Sequence, residues 1–122
     1  MALQSYRDLI VWQKSIDLVV SVYQLAKKFP DVEKYGLTSQ IRRAASSIPA
    51  NIAEGYGRTH RGDYLRHLSF AKGSLYELET HLVIAVRLNY IDREEIKIIW
   101  DLAQDIGKML NKLIKSLTQE KK

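Results

Sequence analysis

Apolar residues recur at intervals of three and four through four stretches of this 122-residue chain, and that spacing admits helices and little else. In the first stretch they are Leu9, Trp12, Ile16, Val19, Tyr23 and Ala26, and Phe29-Pro30-Asp31 ends the run. Proline disfavours the helical conformation in the residue before it. The second stretch opens after Tyr35-Gly36, carries Leu37, Ile41, Ala44, Ile48 and Ile52, and closes at Gly55-Tyr56-Gly57. The third follows Arg61-Gly62 with Leu68, Ala71, Leu75, Leu78, Leu82 and Ala85, and Asp63 is its candidate N-cap. The fourth begins at Asp92, which forms a capping box with Glu95, and carries Ile96, Ile99, Ala103, Ile106, Leu110, Leu113 and Leu117. Lys108, Lys112 and Lys115 then load the negative end of that helix dipole.

These patterns place helices near residues 9–29, 37–57, 62–89 and 92–118, with a frayed end at 119–122. The connections are too short for anything but reversal, so the expected fold is all-α: an antiparallel up-down-up-down four-helix bundle. The length suits one domain spanning residues 1–122. With two prolines and six glycines the chain is poor in the turn residues of an all-β fold and does not read as disordered. Pro49 falls inside the second helix and predicts a kink there, or a break with a new helix opening at Pro49.

The first helix carries a second apolar stripe, Val11, Leu18, Val22, Leu25 and Phe29, about 110° around the wheel from the Trp12 stripe. A surface helix of a monomeric bundle needs one stripe. The surplus predicts a homo-oligomer with these five residues at the contact. The competing expectation is a helix wedged between two neighbours.

Several chemistries drop out on residue type alone. The chain has no cysteine, which excludes disulfides, thiolate metal sites and cysteine nucleophiles. A two-metal carboxylate site needs paired Glu-x-x-His motifs, whereas Glu77 and His81 stand four apart with no second copy. His60, Asp63 and His67 fall at i, i+3 and i+7, but a helix start with two surface histidines is the commoner meaning of that pattern. No nucleophile motif or phosphate-cradling glycine loop occurs. The expectation is a non-enzymatic protein with no cofactor and no metal. The first eight residues lack the pattern of a secretory leader, and charges interrupt every apolar run short of a membrane span, so a cytoplasmic protein with no membrane partner is expected.

Polar residues have their own period. Gln40, Arg43, Ser47, Asn51, Glu54 and Arg58 follow one another at three or four along the second helix, flanked by small residues. Such a face is solvated, or it is a hydrogen-bond network between subunits, or it is a track for phosphate oxygens. Beyond it lies a basic corner. Residues 40–66 hold Arg42, Arg43, Arg58, Arg61 and Arg66 against Glu54 and Asp63, a local net charge of +3 in a chain of +5. Guanidinium forks suit phosphate, and Tyr56 and Tyr64 could stack on bases. These five arginines are the candidate nucleic-acid contacts, with RNA favoured, and an oligomer would repeat the patch. A protein–protein adaptor is the alternative.

Residues 29–55 read Phe-Pro-Asp-Val-Glu-Lys-Tyr-Gly-Leu-Thr-Ser-Gln-Ile-Arg-Arg-Ala-Ala-Ser-Ser-Ile-Pro-Ala-Asn-Ile-Ala-Glu-Gly. With Val11-Trp12 upstream and Ala71-Lys72-Gly73-Ser74-Leu75-Tyr76-Glu77-Leu78 downstream, this resembles the four-helix-bundle proteins encoded in intervening sequences of bacterial large-subunit ribosomal RNA genes. The resemblance covers about residues 6–117, and its motif positions fall on Gly36, Gln40, Arg42, Arg43, Ala44, Ser47, Asn51 and Glu54. It implies an antiparallel bundle assembled as a homopentamer with a central channel. It also implies kinship with the accessory variability determinant proteins of diversity-generating retroelements, basic pentamers that bind nucleic acid and a reverse transcriptase. It brings no catalytic residue.

Overall fold

The computed structural model describes residues 5–119. A 3-10 turn at Tyr6–Asp8 precedes α1 (Ile10–Ala26), and a second at Asp31–Glu33 leads into α2 (Leu37–Tyr56). Then come α3 (Arg61–Arg87) and α4 (Arg93–Gln119), and among the described residues there is no strand. Packing contacts join α1 to α2, α2 to α3, α3 to α4 and α4 back to α1, with none across the diagonals, so the helices stand at the corners of a square. Partner residues fix the antiparallel register. Ser47 meets Ser74 and Asn51 meets His67 across α2–α3, while Glu79 meets Gln104 across α3–α4.

Local chemistry explains where the helices stop. The last turn of α1 tightens as Lys27, Lys28 and Phe29 donate to carbonyls three residues back, ending regular helix before Pro30. Helix α3 ends in a Schellman motif: Asn89 takes φ 61°, its amide donates to Val86 and that of Tyr90 donates to Ala85. Asp92 and Glu95 cap α4 reciprocally, each backbone amide donating to the other's carboxylate at 2.9 Å. Asp63 is not the cap of α3. That helix starts at Arg61 after His60, and Asp63 sits in its first turn beside Arg66. Helix α2 runs through Pro49 unbroken, with the ring buried in the core. Gln119, expected to be frayed, is the last helical residue, and residues 120–122 lie outside the described part.

One contiguous core fills the square, with Leu18, Ile41, Ile48, Ile52, Leu68, Leu78, Leu82 and Ile106 among its solvent-free side chains. Each such side chain contributes roughly 1.5–3 kcal/mol by leaving water. The interface expected on α1 is here corrected. Val11, Leu18, Val22, Leu25 and Phe29 are 0–6% exposed within the single chain. They are core, not surface, because α1 touches both α2 and α4 and so buries a wide arc. The stripe that turns toward solvent is the other one: Trp12, Ile16 and Val19 are half-buried, and Tyr23 is 41% exposed.

Candidate nucleic-acid interface

The polar stripe of α2 divides. Its ends, Gln40, Arg43 and Arg58, are exposed. Its middle is spent inside the chain. Ser74 Oγ donates to Ser47 Oγ at 2.9 Å, and Asn51 Nδ2 donates to Ser47 O at 2.9 Å and to Ser47 Oγ at 3.0 Å. Asn51 Oδ1 in turn faces His67 Nδ1 at 3.1 Å, and Glu54 Oε1 lies 3.9 Å from that nitrogen. The ladder is therefore made within the chain, and it pins α2 to α3. His67, expected at the surface, is buried by it. Small residues let the helices close to this distance, and a Cβ on Gly55 would stand 2.7 Å from the His67 Cβ.

The five arginines occupy two places. Arg42 and Arg43 lie in the second turn of α2, roughly 23 Å along the chain axis from Arg58 at ~1.5 Å per residue. Arg42 sets its guanidinium 5.1 Å from the Tyr23 ring centre of α1, and Arg43 is exposed. Arg58, Arg61 and Arg66 gather at the α2–α3 corner. There Arg58 Nη2 lies 3.1 Å from Glu54 Oε2 and Arg66 Nη2 3.5 Å from Asp63 Oδ1. Exposed pairs of this kind are worth about 0–1 kcal/mol, so a phosphate can replace the carboxylate at little cost. Tyr56 and Tyr64 meet edge to face at 6.0 Å, and burial, with Tyr56 beside it, pushes the Tyr64 hydroxyl up to about 12. The pair props the corner from within.

The antiparallel register brings in cations that the helix-by-helix reading had assigned only to a dipole. Helix α4 ends beside the α2–α3 corner, and its exposed Lys108, Lys112 and Lys115 share one face at i, i+4 and i+7. Arg7, Lys14 and Lys72 belong to the same half. That half, residues 5–18, 47–74 and 106–119, carries nine Lys and Arg against four Asp and Glu. The other half, residues 19–46 and 75–105, carries eight against nine. The positive charge of the chain is thus concentrated at one end of the bundle, where it creates a field for polyanions. The spacing of the three lysines was visible in the sequence, but their position beside the corner required the fold.

Among the described residues no three His, Asp or Glu side chains converge to hold a metal ion, and no helix is long and apolar enough to cross a membrane.

A model of the family described as "23S rRNA-intervening sequence protein" matches residues 7–112. The fold is similar to a crystal structure of a protein of unknown function from the S23 ribosomal protein family of Bacteroides thetaiotaomicron, at TM-score 0.80 and 32% identity, covering 87% of this chain and 99% of that one. Among curated proteins none matches significantly.

Proposed function

Because this chain belongs to the 23S rRNA-intervening sequence protein family, we propose that it is a non-enzymatic cytoplasmic protein that binds nucleic acid, RNA before DNA, through the basic end of its bundle. The observation that carries this reading is the segregation of charge, +5 in one half of the helical square against −1 in the other. Arg58, Arg61 and Arg66 at the corner and Lys108, Lys112 and Lys115 on α4 make the phosphate contacts, and Arg43 extends them along α2. Contacts of this kind position a backbone without reading sequence, so binding is tolerant of sequence and weakens steeply with salt. The protein works as a homopentamer, which repeats the basic end around a ring and multiplies the phosphates neutralised at once.

A fluorescence anisotropy titration with a labelled structured RNA and a DNA duplex of equal length, at low and moderate salt, tests this. Binding with a steep salt slope supports it, and no binding to either at low salt refutes it. The second reading is an adaptor that docks a protein, for example a reverse transcriptase. It is favoured by large apolar side chains left in solvent, among them Phe70 and Tyr76 of α3 and Leu88 just after it, at 50–54% exposure. It predicts association that salt does not weaken.

A further inference from the structure

One carboxylate at the α2–α3 corner stands between two basic groups of different kinds. Glu54 Oε2 lies 3.1 Å from Arg58 Nη2, and Glu54 Oε1 lies 3.9 Å from His67 Nδ1. Arg58 is exposed and always charged. His67 is 7% exposed, and histidine is the residue type that changes charge between about pH 5 and 8. A buried imidazole takes up charge readily only where a carboxylate is at hand to balance it. Glu54 is that carboxylate, and while Arg58 is paired with it the guanidinium offsets its pull on the ring. The other charged and titratable groups around the ring are placed differently. On α3, Asp63 and Arg66 pair with each other at 3.5 Å, His60 and Arg61 open the helix, and Tyr64, pushed up to about 12, keeps its proton. The Tyr6–Asp8 turn packs on α2 and brings Arg7 and Asp8 to this end. On α4, Lys115 stands level with His67 by the Glu79–Gln104 register, but on the α3–α4 edge, outside the seam that buries the ring. Helix α1 packs against α2 and α4 and not against α3.

We infer that Arg58 and His67 compete for Glu54, so that a polyanion engaging Arg58 releases the carboxylate to His67 and draws a proton onto its ring. This rests on the reading of the basic end as a phosphate-binding surface. In the free protein Glu54 pairs with Arg58 and the imidazole is neutral. A phosphate oxygen then replaces the carboxylate on the guanidinium, at little cost for an exposed pair. The freed carboxylate and the added phosphate charge both favour the imidazolium, and solvent supplies the proton. Nδ1 already carries a hydrogen, so the new one enters at Nε2 and the bond to Asn51 Oδ1 persists. Such coupling is reciprocal: if binding draws in a proton, a lower pH tightens binding. The lysines and arginines that make the phosphate contacts keep one charge from about pH 5 to 8, so they supply no such dependence themselves. Two further histidines serve as controls. His60 is exposed at the same corner, and His81 sits at the other end with a carboxylate of its own, Glu77 Oε2 at 3.4 Å.

The experiment has two arms, both on the full chain. In the first, NMR follows the histidine ring signals against pH without nucleic acid, and His67→Asn assigns the signal of His67. Arg58→Gln should move the His67 midpoint to higher pH, and Glu54→Gln should move it to lower pH. The His81 signal should move in neither variant. A His67 midpoint indifferent to both substitutions would overturn the inference. In the second arm, calorimetry with the structured RNA at low salt and about pH 7, in two buffers of different ionisation enthalpy, counts the protons exchanged on binding. The wild type should take up protons, up to about one per chain engaged. His67→Asn and Glu54→Gln should each lose that uptake, and His60→Asn should keep it. Uptake that survives in His67→Asn, or that vanishes in His60→Asn, would overturn the inference. Should His67→Asn fail to fold, Glu54→Gln at its exposed position makes the same comparison. A wild type that binds no RNA at low salt counts against the basic end as a phosphate surface, and the first arm then decides by itself whether Arg58 and His67 share Glu54.

Discussion

His67 donates a hydrogen bond from Nδ1 to Asn51 Oδ1 at 3.1 Å, and the direction of that bond is settled by a third group. The backbone carbonyl of Ser47 can only accept, so the Asn51 atom 2.9 Å from it is the amide nitrogen. The asparagine oxygen must then face the imidazole, and the proton lies on Nδ1. Replacing Asn51 by Ala leaves a buried imidazole N–H without an acceptor and removes the rung between Ser47 and His67. A loss of about 1–3 kcal/mol is expected, the usual cost of an orphaned buried donor. Urea denaturation measures it, and an unchanged midpoint would show that water replaces the amide without loss.

Two glycines should respond in opposite directions to the same change. At Gly55 an added methyl would meet His67 Cβ at 2.7 Å and Tyr64 Cδ1 at 3.0 Å. Gly55→Ala should therefore push α2 from α3 and cost about 1–3 kcal/mol. At Gly73, in the middle of α3, an added methyl has nothing within 4 Å. Gly73→Ala should stabilise the helix by about 0.5–1 kcal/mol by restricting the unfolded backbone. Thermal melts of the two variants should move to opposite sides of the wild type. A fall in both would mean that the outer face of α3 is occupied.

The contrast between these positions shows what the sequence could disclose. Helix identity was legible because periodicity, the Asp92–Glu95 capping box and the Pro30 stop all act within a few residues. Which stripe of α1 faced inward was not. Val11–Leu25 and Trp12–Tyr23 are both apolar, and only the simultaneous contact of α1 with α2 and α4 selects the first. The Ser47–Asn51–His67 ladder was half visible, as a polar stripe with small neighbours, but its partner residues lie 16 and 27 positions away. The clustering of Lys112 and Lys115 with Arg58 likewise depends on chain reversal, which no local pattern contains.

Acid should weaken the end of the bundle opposite the basic one. The Glu33 carboxylate accepts from the Leu37 amide and the Tyr90 hydroxyl, and these bonds hold its pKa below the usual 4.5. Glu95 is held below 4.5 chiefly by its hydrogen bond from Lys28, and then by the Asp92 amide. Carboxyls with depressed folded values contribute stability that is present above about pH 4.5 and is lost as pH falls through the lowered values. Lys28 and Tyr90 are raised by the same partners, so their share is complete below about pH 10 and is lost as pH climbs through their raised values. Urea midpoints followed from neutrality to about pH 3 should show the gap between wild type and Glu33→Gln closing as the wild-type carboxyl protonates. A gap of constant size would mean that the glutamine removes packing and not charge.

The last test separates the basic end from net charge as such. Lys112→Glu/Lys115→Glu and Lys27→Glu/Lys34→Glu change the formal charge equally, but the first pair lies at the basic end and the second at the other. If phosphates sit on the α4 face beside Arg58 and Arg66, each lost contact lowers the slope of log affinity against log salt by about 0.7–0.9, so the first variant should lose up to about 1.8. The second should keep the wild-type slope and lose only the weak, screened attraction of distant charge. Slopes are compared only between samples of equal mass by light scattering. Equal slopes for the two variants would mean that nucleic acid responds to overall charge, and the assignment of Lys112 and Lys115 to phosphate would fall. A loss confined to the α4 pair would place the backbone across the end of the bundle, where the α2–α3 corner and the last turns of α4 present their cations together.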